Sequence, residues 1–353
     1  MAKITYLLGA GASYGLRDST YPEKVIYIKK TNSTRIISYN FTIPNIIEGL
    51  PIVNELPGRM KYIESIIREK ISNNPDDDRL KLADIIEWVE KETRRHATID
   101  TLAKKLYITG QVQKYNELKR AISAYFMLEQ LTGHVDRRYD SFFASILGEE
   151  ATSLPNNISI LSWNYDCQLE LAYKEYLRIP SLSKLQEILS VRNKLFNTQS
   201  SYDNKFAVIK LNGSALLYDK FSKECIDTHF NNDVEHIKYI SSLMLNHSPD
   251  IINALSFAWE KYSPDFISKL ECTIKDSESL VIIGYSFPYF NREIDKMIFS
   301  SMTNLKKIYI QDANPDRIEQ SITNLLTPIQ RNINKVEIHK LYDTTQFYLP
   351  PEL

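Results

Sequence analysis

Four short apolar runs in this chain each stop at a cluster of glycine, small or polar residues. This pattern is typical of strands that end at a loop. In an open parallel sheet, ligands bind in the crevice at the carboxyl ends of the strands, so the four polar clusters are expected to meet at one site. The apolar runs are residues 4–8, 158–161, 208–211 and 280–283, and the clusters after them are residues 9–13, 162–166, 212–214 and 284–286.

The order of strand and helix patterns over the 353 residues predicts an α/β fold with a Rossmann-like parallel sheet. We expect a single domain at residues 1–353 that contains a helical insertion at residues 53–150. Two β-rich runs, 25–28 and 36–39, predict a hairpin after the first strand. Further strands are expected at 206–211, 307–311 and 336–341, and helices at 167–176, 181–189, 292–301 and from Asn314 onward.

Composition excludes several classes of function. The formal net charge of −1 and the lack of a dense Lys/Arg block disfavour nucleic acid as a partner. No apolar stretch is long enough to span a bilayer, so a cytoplasmic protein without a membrane partner is expected. Cys167, Cys225 and Cys272 are widely spaced and form no Cys-x-x-Cys pair, so no metal and no disulfide framework are expected.

The first polar cluster has the form Gly9-x-Gly11-x-Ser13. Such a turn favours a diphosphate ligand, because backbone N–H groups at a helix start are unsatisfied. The alternative is a tight turn that needs glycine for conformational reasons alone. Gly15 falls one position late for the dehydrogenase fingerprint, and no Gly-Lys-Ser/Thr sequence is present, so hydride transfer and ATP hydrolysis are disfavoured.

Five motifs follow one another along the chain: Gly-Ala-Gly-Ala-Ser at 9–13, Gly-Leu-Pro at 49–51, Trp-Asn-Tyr-Asp at 163–166, Lys-Leu-Asn-Gly-Ser at 210–214 and Gly-Tyr-Ser at 284–286. Their order and approximate spacing resemble those of SIR2-like proteins. The resemblance is strongest to the bacterial SIR2-like NAD hydrolases (NADases) of antiphage defence. It implies a SIR2/DHS-like NAD-binding fold with NAD as the substrate.

The resemblance also implies roles for individual residues. In this family the glycine-rich loop holds the NAD diphosphate, and the Asn and Asp of the Asn-x-Asp motif contact the nicotinamide ribose and amide. The implied catalytic positions are Asn164, Asp166 and Asn212. The implied NAD-binding positions are Gly9, Ala10, Gly11, Ser13, Pro51, Gly213, Ser214, Gly284, Ser286 and Asp312, with Asn314 as the alternative to Asp312 at the adenosine ribose.

The chemistry of NAD cleavage agrees with these residue types. Breaking the bond between nicotinamide and ribose expels a neutral leaving group and builds an oxocarbenium-like cation, so departure needs no general acid. A carboxamide that orients water and a carboxylate that favours positive charge are needed instead, and Asn164 and Asp166 supply them. The alternative interpretation of Asn164 is a cap on the following helix.

Asn212 departs from the family pattern, in which a histidine acts as general base at this position. An amide cannot take up a proton at neutral pH, and loss of a positioned base lowers the rate by on the order of 10² to 10⁴. Three interpretations stay open: a slow hydrolase that relies on Asn164 and Asp166, an enzyme that recruits another base such as His96 or His134, and a binding-only protein.

The sequence thus predicts an NAD⁺ hydrolase that forms ADP-ribose and nicotinamide and acts in antiphage defence by NAD⁺ depletion. The alternative is a sensor that binds NAD or ADP-ribose and signals to another defence protein. Deacylation is the least favoured activity, since deacylases of the family carry two Cys-x-x-Cys pairs. The resemblance further implies a homo-oligomer and, as a partner, a HerA-type ATPase or another protein of a defence system.

Overall fold

The computed structural model describes residues 2–18, 26–28, 37–39, 45–46, 48–53, 55–69, 77–132, 134–177, 179, 181–195, 206–226, 233–245 and 248–353. The chain divides into two compact units. The first unit comprises Met1–Tyr14, Val135–Ser214 and Ala254–Leu353, and the second comprises Gly15–His134 and Ala215–Asn253.

Strands and helices alternate through most of the described residues. The strands are β1 (Ile4–Leu8), β2 (Arg17–Asp18), β3 (Ile26–Ile28), β4 (Ile37–Tyr39), β5 (Asn45–Ile46), β6 (Ile158–Ser162), β7 (Val191–Asn193), β8 (Ala207–Lys210), β9 (Gly213–Asp219), β10 (Ile251–Leu255), β11 (Ser279–Ile283), β12 (Lys307–Gln311) and β13 (Glu337–Leu341). The helices are α1 (Leu56–Glu69), α2 (Asp78–Arg94), α3 (Ile99–Ile108), α4 (Val112–Thr132), α5 (Arg137–Ile146), α6 (Gln168–Leu177), α7 (Leu182–Ile188), α8 (Asp233–Leu245), α9 (Pro264–Ile274), α10 (Arg292–Ser301), α11 (Pro315–Leu325) and α12 (Pro328–Asn332).

The first unit is built on a seven-stranded sheet in the order β13-β12-β11-β1-β6-β8-β7. All of the described pairings between neighbouring strands are parallel. The predicted α/β fold with a Rossmann-like parallel sheet is therefore confirmed. From the central β1 the chain fills one side of the sheet with β6, β7 and β8 and then the other side with β11, β12 and β13, so the strand order reverses at β1.

The strands around β1 are apolar because helices cover both faces of a parallel sheet. All five residues of β1 are buried, as are those of β6 and β11. Leu7, Leu161 and Ile282 belong to one core cluster with residues of α9 and α10. The buried hydroxyl of Thr5 is satisfied by a 2.7 Å hydrogen bond with Ser277.

The carboxyl ends of four neighbouring strands meet at one edge of this sheet. Leu8 lies opposite Ile283 on one side and Ser162 on the other, and Ser162 lies opposite Lys210. The polar clusters that follow β1, β6, β8 and β11 thus come together, as the sequence predicted. An edge at the point where the strand order reverses is the usual place for a ligand in such folds.

The second unit contains α1 to α4 and α8, of which α1, α2, α4 and α8 pack on one another. Helices do occupy the predicted insertion at 53–150, and α5, its last helix, belongs to the first unit and packs on α6. Strands β3 and β4 pair antiparallel, which confirms the predicted hairpin, while its turn lies outside the described residues. Asp77 caps α2 by accepting a bond from the Arg79 amide.

In the part of the chain that the structure describes, helices with the length and apolar character needed to cross a bilayer are absent.

Candidate functional site

The turn after β1 packs directly against the turn after β11. The Gly9 amide donates to the Ile283 oxygen and the Gly11 amide to the Gly284 oxygen, each across 3.0 Å. A Cβ on Gly11 would lie 2.7 Å from the Gly284 Cα. A Cβ on Gly284, whose φ is +58°, would lie 2.5 Å from the Ala12 nitrogen. Glycine is required here because two backbones approach each other.

This geometry bears on phosphate binding at the first turn. The amides of Gly9 and Gly11 already donate to carbonyl oxygens of the protein. A short 3-10 helix, Ala10–Ser13, follows, and its first residue, Ala10, is exposed. The structure therefore assigns a conformational role to the two glycines, and the binding of a diphosphate at this turn stays a prediction.

Ser13 and Asn164 belong to one buried hydrogen-bond cluster. The Ser13 Oγ lies 2.9 Å from the Tyr139 hydroxyl and accepts a 3.1 Å bond from the Asn164 Nδ2. The same Nδ2 donates to the Gly9 oxygen across 2.9 Å. Asn164 thus ties the end of β6 to the turn after β1.

Asp166 takes the capping role that the sequence left open for Asn164. Its Oδ1 accepts a 3.1 Å bond from the amide of Gln168, the first residue of α6. The side chain is buried. Burial raises the pKa of the Asp166 carboxyl, and the Lys210 ammonium opposes that rise.

Lys210, the last residue of β8, forms a fully buried ion pair. Its Nζ lies 3.1 Å from the Glu170 Oε2 and donates a 2.7 Å bond to the main-chain oxygen of Asp166. Burial alone would lower the pKa of Lys210, but the charges of Glu170, Cys167 and Asp166 outweigh it, so the pKa is raised. The ammonium is therefore charged at neutral pH.

Asn212 lies beside this cluster. Its Nδ2 donates a 3.2 Å bond to the main-chain oxygen of Trp163, the residue that precedes Asn164. Its Oδ1 is buried and has no hydrogen-bond partner among the described residues. Leaving a buried acceptor unpaired costs about 1–3 kcal/mol, so a donor from water or a ligand would stabilise this site.

Gly213 and Ser214 have structural roles at the start of β9. Gly213 has a φ of +70°, and a Cβ there would collide with the Ala254 oxygen. The Ser214 Oγ is completely buried and accepts a 3.0 Å bond from the Asn193 Nδ2. Among residues 212–214, Asn212 is thus the one with a buried side-chain atom, Oδ1, that has no hydrogen-bond partner among the described residues.

The cluster after β11 contacts a buried carboxyl group, that of Asp295 in α10. Ser286 is exposed, whereas Tyr285 is buried, with its ring stacked on Trp163 at 5.9 Å. The Tyr285 hydroxyl donates to both oxygens of Asp295 at 2.9 Å and accepts a 3.0 Å bond from the Asn291 Nδ2. Burial raises the pKa of Asp295 to about 8.

Asp312 follows β12, two strands away from β1 at the same edge. It is half-buried, and its Oδ1 accepts a 2.8 Å bond from the Asn314 amide at the start of α11. Asn314 itself is exposed. One carboxylate oxygen of Asp312 thus holds the start of α11, and contact of Asp312 or Asn314 with an adenosine ribose stays a prediction.

Pro51 belongs to the second unit, whereas the other predicted site residues belong to the first. It is buried, and contacts of Arg17 fix the loop around it. The Arg17 guanidinium donates a 2.8 Å bond to the Leu50 oxygen and pairs with Glu55 at 2.9 Å. These contacts hold the backbone of the Gly-Leu-Pro motif in one conformation within the second unit.

Among the described residues, no histidine belongs to the buried hydrogen-bond cluster of Ser13 and Asn164, so none serves as a general base within it. His339, the sole histidine of that unit, stacks on Tyr309 between β12 and β13. The two histidines named as alternative bases, His96 and His134, lie in the second unit. His236 is buried there in α8, and His229 and His247 lie outside the described residues.

Sequence reasoning missed several residues that shape this site. Arg138 pairs with Asp136 at 2.6 Å and donates to the Gly11 oxygen at 2.9 Å, so it braces the first turn. Lys210 had a readable signal, since a lysine inside an apolar strand needs a buried partner. Tyr139 and Glu170 had none, because their partners are distant in sequence.

The fold and the cluster define a Rossmann-like α/β protein with a buried polar site at the reversal of its strand order. No protein-family model matches the chain, and no curated protein matches its sequence.

Proposed function

We propose that the chain binds NAD⁺ at the carboxyl edge of β1, β6, β8 and β11 and hydrolyses it to ADP-ribose and nicotinamide. The observation that carries this proposal is the meeting of an Asn, an Asp and the first glycine turn at that edge. Asn164 bonds to Gly9 and Ser13, and the buried Asp166, two residues further along the same loop, bonds to the Gln168 amide. The resemblance of the five motifs to SIR2-like NADases supports the same assignment.

Asp166 would favour the positive charge that develops on the ribose. A carboxylate in a site from which water is excluded acts strongly on a nearby cation, because the local dielectric constant is low. Asp166 is 5% exposed, and the bond that its Oδ1 accepts from the Gln168 amide fixes its position. Such fixed groups need no reorganisation when the bond to nicotinamide breaks.

Asn212 would bind a ribose hydroxyl or the attacking water through its unpaired Oδ1. It cannot remove a proton, so water attack would proceed without a general base at this position. The proposed hydrolase is accordingly slow, by about 10² to 10⁴ relative to an enzyme with a base. Asp312 and Ser286 would contact the adenosine side, with the diphosphate at the turn that includes Ala10.

A specific observation favours a second function, the binding of NAD or ADP-ribose without turnover. Asn212 occupies the position of the expected base, and His339, the one histidine of the first unit, lies between β12 and β13. A protein of this kind would bind the nucleotide at the same site and signal its presence to a partner protein.

Nicotinamide release and nucleotide affinity separate the two functions. Purified protein is incubated with NAD⁺, nicotinamide and ADP-ribose are quantified by chromatography, and the Kd of NAD⁺ and of ADP-ribose is measured by calorimetry. Release that disappears in Asn164→Ala but persists in Asn157→Ala supports hydrolysis. Binding without release supports the sensor. Neither release nor binding contradicts both functions.

The proposed biological role, antiphage defence through NAD⁺ depletion, rests on the motif resemblance alone. So do the proposed homo-oligomer and the HerA-type ATPase or other defence protein as a partner. The proposed cytoplasmic location rests instead on the lack of an apolar stretch long enough to span a bilayer. Cellular NAD⁺ measured after phage infection, in bacteria that carry the wild type or Asn164→Ala, tests this role. A fall in NAD⁺ only with the wild type is the expected result.

A further inference from the structure

Strand β13 forms one edge of the seven-stranded sheet. Within the described residues it pairs with β12 alone, at the end of the strand order. Three of its five residues are exposed, whereas two of the three residues of β7, at the opposite edge, are buried. An exposed edge strand is a template to which another strand can be added.

Alternate residues of β13 direct their backbone groups toward β12. The Glu337 amide donates to the Lys306 oxygen, and the Leu341 oxygen accepts a bond from the loop after β12. Because these groups change side from one residue to the next along a strand, those of Ile338 and Lys340 point away from β12. The outer side of β13 therefore presents two N–H groups and two C=O groups that β12 does not use.

The charge of Lys340 is compensated within the chain. Lysine on an edge strand commonly opposes pairing with another chain. The Lys340 ammonium, however, contacts Asp316 at 2.9 Å and Glu319 at 3.1 Å, both in α11. These contacts hold the side chain toward the face of the sheet on which α11 packs. Lys340 therefore does not shield the outer backbone groups of β13.

We propose that β13 pairs antiparallel with β13 of a second copy of this chain, across a twofold axis at His339. In this register Ile338 of each copy lies opposite Lys340 of the other, so all of their outward N–H and C=O groups are paired. An axis at Lys340 would place two lysines opposite each other, which is destabilising. An axis at Ile338 would place Lys340 opposite Val336, whose amide already donates to the Gln330 oxygen.

Opposite charges lie at the two ends of the strand. Lys335 precedes β13 and Asp343 follows it, and both residues are exposed. Each lies four positions from His339, so the antiparallel register places Lys335 of one copy beside Asp343 of the other. The contact occurs twice about the axis, as is required of an interface that uses the same surface of both copies.

Exposed apolar side chains flank the same strand. Ile329 and Ile333, shortly before β13, are 54% and 73% exposed, and Tyr342, directly after it, is 59% exposed. Antiparallel pairing brings Tyr342 of each copy to the end of the interface where the other copy has Ile333. Apolar surface buried there would add to the affinity that the backbone hydrogen bonds provide.

Cysteine crosslinking of the full chain tests the register. His339→Cys would place two thiols opposite each other at the axis, where the Cα atoms are about 4.5 Å apart, within the range of a disulfide. Cys167 and Cys225 are buried, so Cys272→Ser removes the partly exposed native thiol. Mild oxidation of the His339→Cys variant in this background should give a covalent dimer on a non-reducing gel.

Glu337→Cys in the same background is the matched control. Glu337 is exposed and two positions from His339, but the two copies of this residue would be offset by four residues, roughly 14 Å along the strands. This separation is too long for a disulfide, so little covalent dimer is expected.

Sedimentation at low salt tests the charges. The wild type should sediment with twice the mass of one chain. Lys335→Glu should raise the Kd of the dimer by about tenfold, because two attractive contacts become repulsive. Adding Asp343→Lys to Lys335→Glu should restore the affinity, since each contact is then attractive again. Circular dichroism confirms that both variants are folded.

The inference does not depend on the proposed function, because β13 and its flanking residues lie outside the proposed nucleotide site and neither experiment uses NAD⁺. A wild type that stays monomeric at every concentration overturns it. So does a dimer that crosslinks through Glu337→Cys as readily as through His339→Cys. Equal affinity of the wild type and the folded Lys335→Glu variant would likewise contradict the proposed register.

Discussion

The side-chain amide of Asn164 donates a 2.9 Å hydrogen bond to the main-chain oxygen of Gly9. The two residues are 155 positions apart, so this bond joins the end of β6 to the turn after β1. Because the same nitrogen also donates to Ser13, both amide hydrogens are used inside the protein. The nitrogen of Asn164 thus orders the site, and the amide oxygen is the atom available to a ligand.

Asn164→Asp should destabilise the protein and abolish nicotinamide release. The substitution preserves shape but replaces a donor with an anion that faces the Gly9 oxygen, and the loss of a buried hydrogen bond costs about 1–3 kcal/mol. Urea denaturation gives the change in the free energy of unfolding, and chromatography gives the release of nicotinamide from NAD⁺.

Asn157→Asp is the matched control for Asn164→Asp. The Asn157 Nδ2 also donates to a main-chain oxygen, that of Ala2 at 3.0 Å, but at the opposite end of β6. It should lose some stability and keep nicotinamide release. Equal losses of release in both variants would mean that Asn164 acts through stability alone.

Gly284→Ala should destabilise the protein by more than about 3 kcal/mol. The new Cβ would lie 2.5 Å from the Ala12 nitrogen, and overpacking against backbone adds to the penalty for a positive φ.

Gly110→Ala is the control, because it isolates the penalty for a positive φ. Gly110 has a φ of +69°, and among the described residues beyond its chain neighbours no atom lies within 4 Å of the place that a Cβ would take. It should cost about 1 kcal/mol. Thermal denaturation of both variants makes the comparison, and similar losses would contradict close packing of the two turns.

The strands around the site could be predicted because each is a short apolar run with a polar end. Strand β12 and helix α10 were predicted at their observed limits, and β1, β6, β8 and β11 at one common edge. Strand β7 was missed because three residues carry too little pattern, and helix α9 was missed although Ser263 and Pro264 mark its start.

The contacts of the site were less predictable than its strands. The motifs identified Asn164, Asp166 and Asn212 as neighbours, but the bonds that place them depend on residues distant in sequence, as the bond from Asn164 to Gly9 shows. A residue type shows which bonds a side chain can make, and only the packing of the strands shows which partner it meets. The division into two units, with residues 215–253 in the second, also depends on contacts between segments that are distant in sequence.

The free energy of unfolding should fall as the pH rises from about 4 to about 8, because of Asp295. Its pKa is raised by burial from 3.8 to about 8, so the folded protein holds a proton that the unfolded chain releases. The stabilising effect is complete below about pH 4 and is lost as the pH rises through the folded pKa.

Asp295→Asn is the control variant, because it keeps an oxygen acceptor for Tyr285 and has no proton to lose. The difference in unfolding free energy between the wild type and this variant should therefore shift in favour of the variant across that range. Parallel stability curves for the two proteins would show that Asp295 titrates normally.

Asn212→His should raise the rate of nicotinamide release by on the order of 10², because an imidazole at this position can accept a proton from a ribose hydroxyl or water. The gain should appear as the pH rises through about 6.5, where imidazole loses its proton, whereas the wild type should show no step there. Nicotinamide release from about pH 5.5 to about pH 8.5 measures both effects. Combining Asn212→His with Asn164→Ala is the control and should remove the gain, since a base is useful only if the ribose is oriented. A folded variant with an unchanged rate and no new step would show that Asn212 does not occupy the position of the base.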